Sequence, residues 1–472
     1  MTEPLLPPNS RDAAAEAESW GSRLWLALGV VVVAAFLIQS HGISTWPMAD
    51  DEVLSLVQMD RHHANPGFFS FPPDHLEKLP RAVPVWQAFQ RTALAMLPDS
   101  LVGYRLPSVI CGVLTAAVAF LLAARWRGLW FAVALSIAIN GSQLFVHVAQ
   151  INRFYSLPLL LLTLALSAMW LPFGRIGMVV ATAGLGFLTV LSHNVTVAAF
   201  GLAFAASCAT WLVGRTPVRV VARSGAAFVA SALVYVLYLL PLIRGWHTTG
   251  NATQVLVSFT ANAGVPLVAL GILGGWLSLS RRDGEGQALW CGLMFAGSLC
   301  LFQVSTFSWN PRYFVFFLPA LWVLAADAMD FVARKVNRGV TGAVWYGCVV
   351  LLLLPNLLSH YADGSRHDYR RAAAVVTDEA RSDELILSDD AETISYYLPD
   401  DLLERLRVRT KVSAPPSTAF LLVARSNAWV PFPQFPGRRV QVLAEIHARR
   451  YDQFSHIVRV YRVHAGAASQ LP

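Results

Sequence analysis

Charged residues are scarce in this chain. Only 14% of its 472 residues are charged, whereas 55% are hydrophobic, and the mean hydropathy is +0.50. Soluble domains usually carry about 25% charged residues, so the composition indicates an integral membrane protein. The net charge of +7 does not indicate nucleic-acid binding, because the arginines lie mostly in short segments between apolar runs.

Cysteines are also few, and the familiar nucleotide-binding motifs are missing. All five cysteines lie in apolar segments, which argues against a disulfide framework or a cysteine-based metal site. The sequence contains no internal repeat, no Walker motif, no G-x-G-x-x-G and no zinc signature. The residues that can carry chemistry are therefore the ionisable ones next to the apolar runs.

Apolar runs of roughly 17–25 residues, the length of a membrane-crossing helix, recur along most of the sequence. Residues 1–21 are Pro- and Ala-rich without a signal-peptide cleavage site, which predicts a disordered cytoplasmic arm. The runs predict an all-α polytopic membrane domain over 22–360 with about eleven spans, at 22–40, 101–124, 128–148, 154–172, 175–193, 195–213, 224–243, 262–280, 287–306, 313–333 and 342–360.

Cations are unevenly distributed between alternate loops. If the N-terminus is inside, the opposite short loops hold mainly Arg153, Arg244 and Arg312. This positive-inside bias places the long first loop, 41–100, and the C-terminal tail outside the cytoplasm. The loops predicted to be cytoplasmic contain Arg125, Arg127, Arg175, Arg215, Arg219, Arg223, Arg281, Arg282, Arg334, Lys335 and Arg338.

The tail has the composition of a soluble domain. Its pattern predicts an amphipathic helix over 367–381 and a second helix near 392–398. Strands are predicted at 384–388, 419–424 and 456–463. We therefore expect a C-terminal extracytoplasmic α/β domain over 361–472.

Acidic residues are concentrated directly after the first span. Asp50, Asp51 and Glu52 precede an apolar stretch, 53–57, that predicts a helix lying in the membrane interface. Ionisable groups so close to lipid are costly unless they hold a substrate, a metal or one another. Two interpretations stay open: a solvated helix start, which acidic residues favour, or a general base that takes a proton from a hydroxyl or amine.

Further polar residues on the same predicted side point to an anion. Glu77, Lys78 and Arg81 precede aromatic anchors. The two cations either snorkel toward lipid headgroups or bind the phosphate of a lipid-linked substrate.

Two arginine–tyrosine pairs stand at the outer ends of later predicted spans. Arg153 is followed by Tyr155, and Arg312 by Tyr313. Either pair alone fits ordinary anchoring at the membrane interface. Because both lie on the face that carries the acidic loop, together they predict a shared anionic site.

The order of these motifs resembles the GT-C superfamily of polyprenyl-phosphate-sugar glycosyltransferases. The likeness is strongest to the branch that contains bacterial aminoarabinose transferases and protein O-mannosyltransferases. It rests on Asp51-Glu52, Glu77-Lys78-x-Pro80, the segment 104–108 (YRLPS), Arg153-x-Tyr155, Pro311-Arg312-Tyr313 with Pro319-Ala320, and the outer tail domain.

The resemblance implies a role for each matching residue. Asp51 would be the catalytic base and Glu52 its partner. Asn152 stands where many relatives have an acidic residue, which leaves open whether a divalent metal takes part. The residues implied in binding the donor phosphate or substrate are Glu77, Lys78, Arg81, Arg153, Tyr155, Arg312 and Tyr313.

The resemblance also implies an activity. It predicts transfer of a sugar from a polyprenyl-phosphate donor to a lipid, glycan or protein acceptor on the outer face of a bacterial inner membrane, with inversion at the anomeric carbon. Two alternatives stay open. A transporter or flippase would usually show repeats and ionisable groups near the bilayer midplane. A non-enzymatic component of polysaccharide assembly would not require Asp51.

Overall fold

Most of the chain is helical. The computed structural model describes residues 10–48, 50–59, 68, 78, 81–171, 176–243, 259–260, 263–280, 286–304, 311–336, 339–363, 366–412, 417–426, 433–447 and 457–465. The first half contains α1 (Ser10–Ser40), α2 (Asp50–Gln58), α3 (Pro84–Leu94), α4 (Leu101–Arg127), α5 (Leu129–Asn140), α6 (Gln143–Ala149), α7 (Ser156–Trp170), α8 (Ile176–Ser192) and α9 (Thr196–Leu212).

The helical part then continues to the tail. It contains α10 (Val218–Val234), which runs through a π-helical stretch (Tyr235–Leu239) into a last turn (Leu240–Ile243), α11 (Val265–Ser280), α12 (Gly286–Val304), a 3-10 helix (Pro311–Phe317), α13 (Leu318–Lys335) and α14 (Val340–Asp363).

Five helices in the described part of the chain are long and apolar enough to cross a membrane. The pair α5 and α6 adds a sixth if it is one span bent by 68°. Leu237 and Leu351 are among the large apolar side chains exposed on these helices, as expected for surfaces that face lipid. The chain is thus a multi-pass membrane protein; the count of about eleven stays a prediction, with α7, α8, α9, α11 and α12 as shorter apolar helices.

A glycine at the break between α5 and α6 allows close packing. A side chain at Gly141 would come within 2.5 Å of Leu353 on α14, so the glycine lets two helices approach closely. The chain then continues as α6 and the segment 150–155, all of which is buried. This segment carries several of the predicted site residues.

The tail folds into helices and a small mixed sheet. β1 (Leu385–Ser388) pairs in parallel with β2 (Leu406–Val408) and β3 (Phe420–Ser426), and β5 (Ile457–Val463) runs antiparallel to β3 and β4 (Val440–His447). The strand order is β2-β1-β3-β5-β4. Three helices accompany it: α15 (Tyr369–Glu379), α16 (Ala391–Ser395) and α17 (Asp400–Leu403).

The sheet domain packs on the first loop. Phe68 of the loop belongs to the same buried apolar cluster as Tyr369 of α15, and the Met48 amide donates to the Tyr397 hydroxyl at 2.5 Å. Helix α2 forms where the sequence predicts it, but Val53 and Leu56 are completely buried instead of lying open in the interface. The domain covers the helix. We call the end of the bundle that carries α2 and the sheet the domain end.

Candidate active site

Glu52 is the centre of a buried polar network at the domain end. Arg105 Nε donates to Glu52 Oε1 and Arg105 Nη2 to Oε2, both at 2.8 Å. Arg366 Nη1 donates to Oε2 at 2.6 Å, and the Asn152 backbone amide donates to Oε1 at 2.9 Å. We call these four residues the Glu52 network. It joins α2, the second turn of α4, the segment after α6 and the start of the tail.

The two arginines of the network also hold the chain that leads into α2. Arg105 Nη1 donates to the carbonyl oxygens of Ile43 and Trp46 at 2.8 and 3.2 Å. The Pro47 carbonyl accepts from both Arg105 Nη2 and Arg366 Nη1 at 3.0 Å. Buried carbonyl groups need such donors, so the network fixes the position of the acidic segment.

The charges of the network are compatible with its burial. Burial raises the pKa of Glu52, but the positive charges of Arg105 and Arg366 outweigh it and lower the pKa to about 2. Burial lowers the pKa of Arg366 to about 9, although the negative charge of Glu52 acts to raise it. Arg366 therefore remains a cation at neutral pH. Glu52 therefore stays ionised, and both of its oxygens accept hydrogen bonds.

Arg153, Tyr155 and Tyr313, all predicted site residues, come together beside the network. Arg153 Nη1 donates to Ser55 Oγ of α2 at 3.3 Å. The ring centroids of Tyr155 and Tyr313 each lie 5.4 Å from that of His193, which lies in the turn between α8 and α9. Residues 153 and 155 thus meet residue 313, which is distant from them in sequence, at the domain end.

The remaining predicted residues divide into three groups. The backbone of Asp51 lies in the first turn of α2 next to Glu52, but its side chain lies outside the described part of the structure, as does Glu77. Lys78 is half-buried and Arg81 is exposed. Arg312 is half-buried in the 3-10 helix and acts electrostatically on Arg366.

The sequence interpretation gave no role to several residues of this site, including Arg105 of the motif at 104–108. Arg105 carried a signal, since it is a charged residue near the start of an apolar run, where such residues usually have a function. Arg366 carried none, because it follows the last apolar run in a segment with an ordinary soluble composition. His360 Nε2 contacts Gln150 Oε1 at 2.6 Å, and the Gln150 carbonyl accepts from Arg366 Nη2 at 3.3 Å.

A metal site does not emerge among the described side chains. They contain no group of three or more His, Cys, Asp or Glu residues placed to hold an ion. Asn152 offers an amide oxygen near Glu52, but this Oδ1 accepts a hydrogen bond from Gln90 Nε2 at 2.6 Å. The described part of the site thus gives a divalent metal no ligand set.

A cavity of about 70 Å³ lies elsewhere in the bundle, toward the end opposite to the domain. Its walls come from α4, α5, α7, α12 and α13 and include Trp126, Trp170, Trp290 and Trp322. None of the predicted site residues lines it. A substrate with a phosphate would find no charged side chain among its lining residues, so this cavity is not the candidate active site.

The sequence matches no family model and no curated protein, but solved structures share its fold. ArnT from Cupriavidus metallidurans superposes with a TM-score of 0.55 and 15% identity in the apo state, covering 94% of this chain and 98% of that one. The same protein bound to undecaprenyl phosphate gives 0.55 and 14%, covering 93% and 98%. The apo oligosaccharyltransferase of Archaeoglobus fulgidus gives 0.51 and 14%, covering 83% and 66%.

This chain shares the fold of these solved structures. The superposition covers almost the full length of ArnT and about two thirds of the archaeal enzyme. The resemblance predicted from the motif order is confirmed at the level of the fold. Because the identities are only 14–15%, the comparison supports the fold alone. A function has to be argued from the geometry of the site.

Proposed function

We propose that the protein is a membrane glycosyltransferase that uses a polyprenyl-phosphate-linked sugar as donor. One observation carries the proposal: Arg105, Arg153, Arg312 and Arg366 gather at the domain end around Glu52. Among the side chains described in this network, cations outnumber carboxylates. Such an excess at the end of a membrane bundle suits an anionic group attached to a lipid.

The proposed reaction is a single displacement. An acceptor hydroxyl or amine of a lipid, glycan or protein attacks the anomeric carbon of the donor sugar, and the bond from that carbon to the phosphate oxygen breaks. Asp51 accepts the proton of the acceptor, and the polyprenyl phosphate departs with the bonding electron pair. Attack opposite to the leaving group inverts the anomeric carbon.

The cations that are not paired with Glu52 in the network act on the donor in this scheme. Lys78, with Arg153 or Arg312, neutralises the departing phosphate, because cations stabilise charge that develops on phosphate oxygens. Glu77 and Arg81, in the same outer loop of the sequence as Lys78, also bind the donor in this proposal, and Tyr155 and Tyr313 form the wall beside Arg153. Glu52 acts differently from Asp51: its lowered pKa of about 2 makes it a poor proton acceptor, so we assign it to positioning α2.

The solved relatives support this choice of donor. ArnT has been observed with undecaprenyl phosphate bound, and it shares the fold of this chain. We infer that this chain takes a carrier of the same class.

We propose that the domain end faces outward from a bacterial inner membrane. The cations Arg125, Arg127, Arg334 and Lys335 lie at the opposite ends of α4 and α13, and such clusters face the cytoplasm. A lipid-linked donor also fits a compartment without nucleotide sugars.

Reporter fusions test this orientation. Fusions after residues 127, 223 and 338 should indicate cytoplasm, and fusions after 70 and 472 the outer side. A cytoplasmic tail would overturn this orientation.

Asp51→Asn tests the proposed base. The amide cannot take the proton of the acceptor, so we expect transfer to fall by about 10²–10⁴-fold while expression and membrane insertion are retained. Asp401→Asn, an exposed residue of α17, is the matched control and should be fully active. Turnover of Asp51→Asn within tenfold of wild type would exclude Asp51 as the base and leave Asp50 as the alternative.

A further inference from the structure

His193 is the aromatic centre of the wall beside Arg153. Its ring is 2% exposed and lies in the short turn that joins α8 to α9. The nearest ring centroids are those of Phe316 at 4.7 Å, Phe154 at 5.1 Å, and Tyr155 and Tyr313 at 5.4 Å. Two of these neighbours are predicted site residues, so His193 belongs to the candidate active site.

The hydrogen bonds of His193 define where its proton lies. The Val195 backbone amide donates to His193 Nδ1 at 3.2 Å, and only an unprotonated ring nitrogen can accept. The imidazole is therefore neutral, with its proton on Nε2. That Nε2 is buried and has no hydrogen-bond partner among the described residues.

An unpaired buried donor needs an explanation. The surrounding aromatic rings offer only a weak N–H to π contact. A phenylalanine would fill the same space and leave no donor unpaired. The position of the donor in the wall that Tyr155 and Tyr313 form indicates that the partner is a bound substrate.

The neighbouring charge identifies the kind of partner. Arg153 is close enough to His193 to act on the ring electrostatically, and its guanidinium carbon lies 4.1 Å from the ring centroid of Phe154. A phosphate oxygen can accept from a cation and from a neutral donor at the same time. A neutral imidazole adds this second bond without adding repulsion against Arg153.

We propose that His193 Nε2–H donates a hydrogen bond to a phosphate oxygen of the lipid-linked donor. This inference rests on the proposed function and adds His193 to Lys78 and Arg153 as a ligand of the carrier phosphate. The imidazole orients the phosphate and takes up no proton during the reaction.

The test compares binding of undecaprenyl phosphate and undecaprenol to purified wild-type protein and three variants. His193→Phe keeps the packing but removes the donor, so binding of undecaprenyl phosphate should weaken by about tenfold or more, as expected for a lost hydrogen bond to a charged group. Undecaprenol should bind equally to both proteins. His193→Gln can present an N–H and should recover part of the loss.

Ser192→Ala is the matched control. Ser192 is equally buried, but its hydroxyl donates to the Leu188 carbonyl of its own helix at 2.9 Å, so this variant should bind both lipids like wild type. Thermal unfolding reports whether each variant is folded. If His193→Phe does not fold, the comparison of His193→Gln with the smaller His193→Asn replaces it, and the Gln variant should bind the phosphate more tightly.

The outcomes separate this inference from the proposed function. Equal binding of undecaprenyl phosphate by wild type and His193→Phe would overturn the role of His193 alone. Equal weakening for undecaprenol would also overturn it, because the effect would then be one of packing. A defect that appears only with a sugar-bearing donor would likewise overturn it, because the contact would then be to the sugar and not to the phosphate. Absence of undecaprenyl phosphate binding by the wild type would overturn the proposed function itself.

Discussion

The two ends of the helical bundle contain buried ion pairs that are built in different ways. Toward the end opposite to the domain, Arg127 of α4 pairs with Asp327 of α13, one cation with one anion on two regular helices. At the domain end, Glu52 pairs with both Arg105 and Arg366. Among the ion pairs described for these two places, the first has one cation for one anion, whereas the second has two cations for one anion.

The difference follows from what each pair joins. Arg127 and Asp327 join two regular helices side chain to side chain, and their ion pair aligns α4 with α13. The Glu52 network holds the turn at 41–48, where Arg105 and Arg366 supply donors to backbone carbonyls. A network of this kind fixes a loop in one place, and the excess positive charge beside it can serve a phosphate.

Removing the central carboxylate should have the largest effect. Glu52→Gln leaves Arg105 and Arg366 buried without their anion, and breaking a buried pair costs about 3–5 kcal/mol. Because the network positions α2, transfer should also fall by about 100-fold, as expected for a displacement of about 1 Å. Thermal unfolding in detergent and single-turnover transfer by the folded fraction measure the two effects.

Asp327→Asn provides the comparison at the other end. It also breaks a buried pair, so the loss of stability should be similar, about 3–5 kcal/mol. Transfer per folded molecule should remain within a few-fold of wild type, because the pair touches no part of the candidate site. A folded but inactive Asp327→Asn protein would show that the two ends do not differ in role.

Acid should reduce the stability that Glu52 contributes by less than either substitution does. The pKa of Glu52 is about 2 in the folded protein against 4.5 for the free side chain. A lowered folded pKa contributes stability that is complete above pH 4.5 and is lost as the pH falls toward 2. Between pH 4.5 and pH 3 the loss should be about 2 kcal/mol, at 1.36 kcal/mol per pH unit.

The acid prediction is checked by following wild type and Glu52→Gln together. The difference in their free energies of unfolding should be largest at pH 7 and should shrink by about 2 kcal/mol on going to pH 3, because Glu52 titrates and the amide does not. A difference that stays constant from pH 7 to pH 3 would contradict the assignment of an ionised Glu52. Comparing the two proteins at each pH cancels the titration of other groups.

Parts of this molecule could be predicted from its sequence, because periodicity is a local property. The apolar runs give the long helices, and the strands near 385, 420 and 457 begin close to the predicted positions. β2 and β4 were not predicted. β2 has only three residues, and the first three residues of the edge strand β4 are exposed, so neither has a clear alternating pattern.

The residues of the site also divide into those that a local pattern predicts and those that it does not. Arg153, Tyr155 and Tyr313 were predicted because each stands at the end of an apolar run, and runs of known direction bring their ends together. The partners of Glu52 could not be predicted, because Arg105 and Arg366 are 53 and 314 residues away from it in sequence. Which cation meets a buried carboxylate depends on tertiary packing.

Arg366 tests whether the sheet domain matters for the chemistry, and here we expect the smallest effect. Arg366→Gln keeps a donor for the Pro47 carbonyl but loses the charge, while Arg105 still pairs with Glu52. Transfer should therefore fall by about tenfold, about 1.4 kcal/mol, with the decrease in kcat and little change in KM for the donor. Arg370→Gln is the matched control, since Arg370 is exposed and donates only to the Thr45 carbonyl at 3.1 Å among its described contacts; it should keep full activity. An unchanged kcat in Arg366→Gln would mean that Arg105 alone positions α2 and that the domain only covers it.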